Sequence, residues 1–194
     1  MKRFINAANI LQTESAVGVI PTDTVYGLAA RASDEKAVSR MYKLKDRAGI
    51  PGTIIAANID QLVALGVKRR YLKAVEDYWP GPLSVIVPCV DKELEYLHQG
   101  KMSLAIRIPA ELRILWLLET VGPLVTTSAN HHGKQPANTV EEAKAYFNDD
   151  VDFYVDGGNL SGRSPSTIIR IVDDAIEILR EGAVKIDETG RKGE

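Results

Sequence analysis

The sequence predicts an α/β fold: one domain built on a β-sheet with helices packed on it. Three observations carry this. Strand-like and helix-like segments alternate along the chain, the pattern of helices packed on a sheet. The 194 residues, 45% hydrophobic and 26% charged, suffice for one ordinary globular core and hardly for two. No internal repeat or low-complexity linker interrupts them.

Asn6 to Thr13 reads as a first helix, and the apolar run Val17 to Ile20 as a buried strand that Pro21 ends. Ser33 is placed to cap a helix with Ala37, Val38, Met41 and Leu44 on its inner face and Asp34 and Glu35 in its first turn. Thr53 to Ala57 is a strand. Residues 59–78 carry one or two helices, with Gly66 separating a short turn, Asp60 to Leu65, from a longer helix ending near Trp79. Leu83 to Val87 and Leu104 to Ile108 are strands. Pro109 opens a helix from Ala110 to Val121, which Gly122 and Pro123 stop. Leu124 to Thr126 is a strand, and Thr139 to Glu142 spells a capping box for a helix burying Val140, Ala143 and Phe147. Phe153 to Val155, Thr167 to Ile171 and Ala175 to Leu179 close the sheet. The domain is expected to span residues 1–186, and the charged tail 187–194 to fray.

A net charge of −2 gives no general affinity for nucleic acid or anionic membrane, so phosphate binding requires a local cluster. The single cysteine, Cys89, rules out an internal disulfide and suits a reducing compartment; at a strand's exit it reads as a buried structural thiol. Polar residues interrupt the N-terminal apolar segment that a secretory signal needs, and the longest apolar stretch, Leu83 to Val90, is too short to span a bilayer. The expected location is the cytoplasm.

Residues 21–28, Pro-Thr-Asp-Thr-Val-Tyr-Gly-Leu, are the most informative stretch. A turn rich in small hydroxyls, with one carboxylate and one phenol, follows a strand, where polar groups stand rigidly above a crevice. Self-bonding of the turn through its hydroxyls explains the same composition. The octapeptide resembles the signature of the YrdC-like family, the threonylcarbamoyl-AMP synthases. Lys45-Asp46-Arg47 is similar to the family's Lys-x-Arg motif on nucleotide phosphates, although cations at a helix C-terminus have a structural explanation too. Thr126 to Asn130 contains the family's Ser-x-Asn, at Ser128 and Asn130. Trp79-Pro80-Gly81-Pro82 matches an aromatic-Pro-Gly-Pro turn, most simply structural. Asp156 to Ile169 and Leu179 to Gly182 match the late segments.

The resemblance runs from about Val17 to Gly182 and implies the short, single-domain type, a twisted mixed β-sheet with flanking helices and a ligand crevice on one face of the sheet. It assigns ATP to Lys45, Arg47, Ser103, Ser128, Asn130 and Arg180, and L-threonine to Thr22, Arg107, Thr126 and Ser166. It implies bicarbonate as third substrate, Mg²⁺ with the ATP, no covalent catalytic residue, and a downstream transferase complex that modifies tRNA. The chain departs from the pattern after Arg47: Ala48, Pro51, Gly52 and Thr53 stand where the family has Pro or Ser, then Lys or Asn, a small residue and Leu. A phosphate-side group is therefore missing at Pro51. The alternative is a YrdC-like paralogue that binds nucleotide or double-stranded RNA without making the adenylate; −2 net charge and sparse aromatics weigh against RNA.

Two further patterns carry no chemistry. Gly157 to Ser164 mimics a phosphate-binding loop with Arg in place of Lys, but Pro165 and the β-branched run after it predict a strand, not the helix such a loop needs. The neighbouring His131 and His132 lie on opposite sides of an extended chain with no further ligand near in sequence, and read as a solvated loop.

Overall fold

Phe4, Ala7, Ala8 and Leu11 recur at helical spacing, and the structure, a computed structural model, winds them into α1 (Lys2–Leu11). It describes residues 1–46, 49–73, 75–172 and 175–187. The helix starts ahead of the predicted Asn6, because Phe4 belongs to the apolar stripe that packs on α6 (Leu112–Val121). The chain then runs through β1 (Val17–Pro21), β2 (Tyr26–Arg31), α2 (Glu35–Leu44), β3 (Thr53–Ile55), α3 (Ile59–Ala64) and α4 (Arg69–Lys73). A 3₁₀ turn, Glu76–Tyr78, leads into β4 (Leu83–Pro88), followed by α5 (Glu95–His98) and β5 (Ser103–Arg107). After α6 come β6 (Leu124–Ser128), α7 (Val140–Phe147), β7 (Phe153–Tyr154), β8 (Thr167–Val172) and β9 (Ala175–Arg180).

Among the described residues nine strands form one sheet in the order β7-β1-β2-β6-β3-β5-β4-β8-β9. Three pairs are parallel, β1 with β7, β3 with β5 and β4 with β8; the other five are antiparallel. The predicted mixed sheet is therefore present, with β2 as an added strand. Tyr26 pairs with Pro21, so residues 22–25 are the loop of a β1–β2 hairpin rather than a turn into irregular chain.

Some predicted boundaries move. Asp34, not Ser33, caps α2: its Oδ1 accepts from Ala37 N at 2.9 Å while Oδ2 accepts from Ser15 N at 2.8 Å. Glu111 caps α6, so that helix starts after the predicted Ala110. The longer helix expected after Gly66 is the short α4 and a separate 3₁₀ turn. Thr139 caps α7 as predicted, its Oγ1 accepting from Glu142 N at 3.2 Å; the Glu142 carboxylate reaches back to Asn138 N rather than Thr139 N. The expectation of a frayed tail at 187–194 falls, beyond Asp187, outside the described residues.

Side-chain alternation divides the core in two. One face of the sheet, with Val19, Leu28, Ile54, Val85, Ile106 and Val125, packs against residues of α2, α3, α4, α5 and α7. On the other, Ile20, Ala29, Ile55 and Leu124 lie under α1 and α6. These two helices cover only part of that face. Thr53 and Thr126, two residues from Ile55 and Leu124 and on the same face, open into a crevice.

Candidate functional site

The crevice holds about 480 Å³. Its floor follows the ladder register across the sheet: Thr126 stands opposite Thr53, Thr53 opposite Ala105, Ala105 opposite Ile86, and Ile86 opposite Arg170. Thr22, Ser103, Arg107, Thr126, Ser128, Ser166 and Arg180 all line it, so seven of the ten predicted site residues meet in one place although they are scattered through the sequence. Thr22 and Arg107 share a face. Arg47 lies outside the described residues.

At one end sits the β1–β2 hairpin loop. Thr22 Oγ1 donates to Val25 O at 2.7 Å and accepts from Thr24 N at 3.1 Å, with Thr24 Oγ1 at 2.9 Å. The loop is thus self-bonded as well as ligand-facing. Asp23 reaches across to the end of β5, where its Oδ1 accepts from Arg107 Nη1 at 2.8 Å. Both side chains are deeply buried, 4% exposed for Arg107 and 11% for Asp23. Burial draws the Arg107 guanidinium below its ordinary pKa and the Asp23 charge opposes that; a guanidinium nonetheless stays protonated in a protein. Arg107 Nε and Asp23 Oδ2 are buried with no hydrogen-bond partner. Tyr26 locks the loop to the segment after β7, its phenol accepting from Gly157 N and donating to Gly158 O, both at 2.8 Å.

The other end is lined by hydroxyls and cations. Arg180 on β9 donates from Nη2 and Nε to Ser166 O at 2.7 and 3.0 Å, and Ser166 Oγ lies 3.0 Å from Ser84 Oγ. This braces Ser166 over the crevice. Thr126 Oγ1 donates to Thr53 O at 3.2 Å. Along β5, Ser103 and Arg107 stand four residues apart on one face, roughly 13 Å at strand spacing. That span separates a site for a small carboxylate from one for a larger anion.

Lys45 is placed otherwise than predicted. Its side chain is 2% exposed and does not line the crevice. Its ammonium donates to Asn130 Oδ1 at 2.6 Å, Ser128 O at 2.6 Å and Asn130 O at 2.7 Å. Asn130 does not line the crevice either; its amide donates to His131 O and Lys134 O. The two residues shape the turn that presents Ser128, which is a positioning role. Reading a Lys as a phosphate ligand takes no account of burial, and here an ammonium surrounded by oxygen acceptors satisfies a turn that folds over it.

Sequence reasoning missed three residues. Asp23 was noted in the loop without a partner. Lys101 and Arg170 both line the crevice, in step with Ser103 and Ile168 two residues away, and only that alternation signals them. The charge pattern decides the chemistry: among the described residues the lining includes Lys101, Arg107, Arg170 and Arg180 and no carboxylate. A chain of net charge −2 thus presents a local cationic crevice suited to a polyanion. Two further local readings hold, the strand after residue 166 and the buried Cys89, while His131 is packed rather than free in its exposed loop. Residues 167–172 form a strand, not a helix, after the false phosphate loop. His131 packs edge-on against Tyr146 and Phe147. Burial pushes the Cys89 thiol up from its ordinary pKa.

The family described as telomere recombination, Sua5/YciO/YrdC, matches residues 10–182. The chain belongs to this family. Within it, the chain is 35% identical to a threonylcarbamoyl-AMP synthase of Marinobacter nauticus, over 87% of this chain and 93% of that protein. It is 36% identical to a putative threonylcarbamoyl-AMP synthase of Methanocaldococcus jannaschii, over 88% of this chain and 81% of that protein. The structure of Sua5 from P. abyssi with L-threonine superposes with a TM-score of 0.82 at 30% identity, covering 93% of this chain and 54% of that one. The mixed, helix-flanked sheet expected from the sequence is therefore shared with structures of this family, and here the crevice lies on its half-covered face.

Proposed function

We infer that this chain is a threonylcarbamoyl-AMP synthase, a nucleotidyltransferase joining L-threonine, bicarbonate and ATP into threonylcarbamoyl-AMP with release of pyrophosphate. One observation carries the reading: a crevice with no lining carboxylate among the described residues, with the buried Arg107 at its hairpin end and further cations and hydroxyls at the other. Arg107 suits the threonine carboxylate, with Thr22, Thr126 and Ser166 around the amino acid. Ser103, Ser128 and Arg180 suit the nucleotide, and Arg47 is assigned to its phosphates by the family pattern. The threonine amine combines with bicarbonate to give a carbamate and water. A carbamate oxygen then attacks the α-phosphorus, and the bond to pyrophosphate breaks. Such a transfer needs no covalent intermediate, only aligned reactants and neutralised charge.

A protein-held Mg²⁺ is usually bound through one or two carboxylates. None lines the crevice among the described residues, so the donor set does not fit such a site, and we assign Mg²⁺ to the ATP phosphates as part of the substrate. We place the reaction in the cytoplasm, upstream of the transferase complex that moves the threonylcarbamoyl group to tRNA. No described helix is long and apolar enough to cross a membrane. Mixing the protein with ATP, threonine and bicarbonate should release pyrophosphate only when all three are present. No release from folded protein overturns the assignment in favour of a nucleotide- or RNA-binding paralogue.

A further inference from the structure

The geometry points to Lys101 as a ligand of the nucleotide's β- and γ-phosphates, an inference that rests on the reading above. Four cations line the crevice among the described residues, and three already face protein oxygens. Arg107 is paired with Asp23, Arg170 donates to Glu177 at 2.6 and 3.0 Å, and Arg180 braces Ser166. Among the described residues the Lys101 ammonium has no ion-pair or hydrogen-bond partner, which is common to exposed lysines such as Lys68, Lys92 and Lys134; of these four, Lys101 is the one that lines the crevice.

The backbone holds Lys101 in place. Gln99, Gly100 and Met102 take positive φ values of 50°, 78° and 52°, so Lys101 lies in a tight turn flanked by Gly100 and the non-glycine Met102 in the left-handed region. The turn is pinned by Lys101 N to His98 O at 2.8 Å and by Cys89 N to Met102 O at 2.9 Å. Met102 is thereby exposed while Lys101 and Ser103 line the crevice.

Register explains why charge is needed there. Thr53 stands opposite Ala105 in the parallel β3–β5 pair, and Pro51 and Ser103, two residues ahead of them in their chains, both line the crevice together with Lys101. The side chains of Ile50 and Pro51 line the crevice without offering a cation or a donor, and Lys101 is a cation lining the same crevice.

The test compares wild type with Lys101→Ala and Lys101→Arg, by calorimetry with ATP, AMP, threonine and inorganic tripolyphosphate, and by pyrophosphate release. Lys101→Ala should weaken ATP and tripolyphosphate binding by about ten- to hundredfold, leave AMP and threonine binding unchanged, and keep the wild-type melting temperature. Lys101→Arg should restore most of the loss. Unchanged ATP affinity in Lys101→Ala, or equal loss for ATP and AMP, overturns the proposal. Should wild type release no pyrophosphate while its tripolyphosphate binding still depends on Lys101, the synthase reading fails and the phosphate site stands.

Discussion

At the scale of single residues the Asp23–Arg107 pair is where stability and binding meet. Both charges are buried, so removing one strands the other without solvent, which typically costs about 3–5 kcal/mol. Asp23→Ala should therefore lower the melting temperature and raise the threonine KM, while Asp23→Asn, which keeps an acceptor for Arg107 Nη1, should retain more of both. The double variant Asp23→Ala/Arg107→Met should melt above either single variant. Additive losses across that cycle would show that the pair is not coupled. Lys45 gives a second contrast. Lys45→Met leaves the Asn130 carbonyl and Asn130 Oδ1 without their donor, while the Ser128 carbonyl keeps Asn130 N. At about 1–3 kcal/mol for each stranded group, and about 2–4 °C per kcal/mol in a chain of this size, thermal unfolding should shift by several degrees. A nucleotide defect at unchanged melting temperature would return Lys45 to the phosphate role that its motif suggested. The motif was legible in the sequence; whether its ammonium faced ligand or chain was not, because that depends on how the Ser128–Asn130 turn folds over it.

At the scale of elements, close backbone approaches set the crevice walls. A Cβ on Gly182 would lie 2.2 Å from Pro165 O and 2.6 Å from Ser166 C, and one on Gly52 would lie 2.7 Å from Thr126 O. These neighbours are backbone, which cannot rotate away, and overpacking of this kind costs about 1–3 kcal/mol. Gly182→Ala should push β9 from the Ser166 segment, lowering the melting temperature and raising the threonine KM together; wild-type values for both would refute the brace. The elements themselves were largely legible. Eight of the nine strands announce themselves as short apolar or β-branched runs. Strand β2 does not, since Gly27, Ala29 and Ala30 carry little β-propensity and a strand buried on both faces shows no polar alternation. The four-residue α5 is too short for a helical period to register. Lys101 and Arg170 escaped notice for a related reason: an alternation identifies a ligand face only when the register across neighbouring strands is known.

At the scale of the whole molecule, burial of titratable groups sets the response to alkali. Burial raises the pKa of the Cys89 thiol and of the Tyr26, Tyr78 and Tyr96 phenols, and Tyr154 is pushed up to about 12. The unfolded chain then loses these protons at lower pH than the native one, so the stability they confer is full below the ordinary values and is lost as pH rises through the folded ones. Melting temperature should fall progressively from about pH 9 upward; a flat profile there would contradict the burial of these side chains.

The distribution of charge makes a separate prediction. The chain carries −2 overall, yet its crevice is lined by cations without carboxylates among the described residues, so attraction for a polyanion is local. Exposed groups such as Lys101 act across water and are screened as the Debye length shrinks from about 30 Å in 0.01 M salt to about 3 Å in 1 M. Arg107, deeply buried beside Asp23, is shielded from mobile ions. The KM for ATP should therefore rise steeply with salt while that for threonine changes little, measured with pyrophosphate release under saturating co-substrates. Parallel salt dependence of the two constants would place both ligands at the exposed end and remove the division of the crevice. A steep dependence for duplex RNA instead of ATP would mean that the cations serve a nucleic-acid backbone, which a net-negative chain should bind poorly.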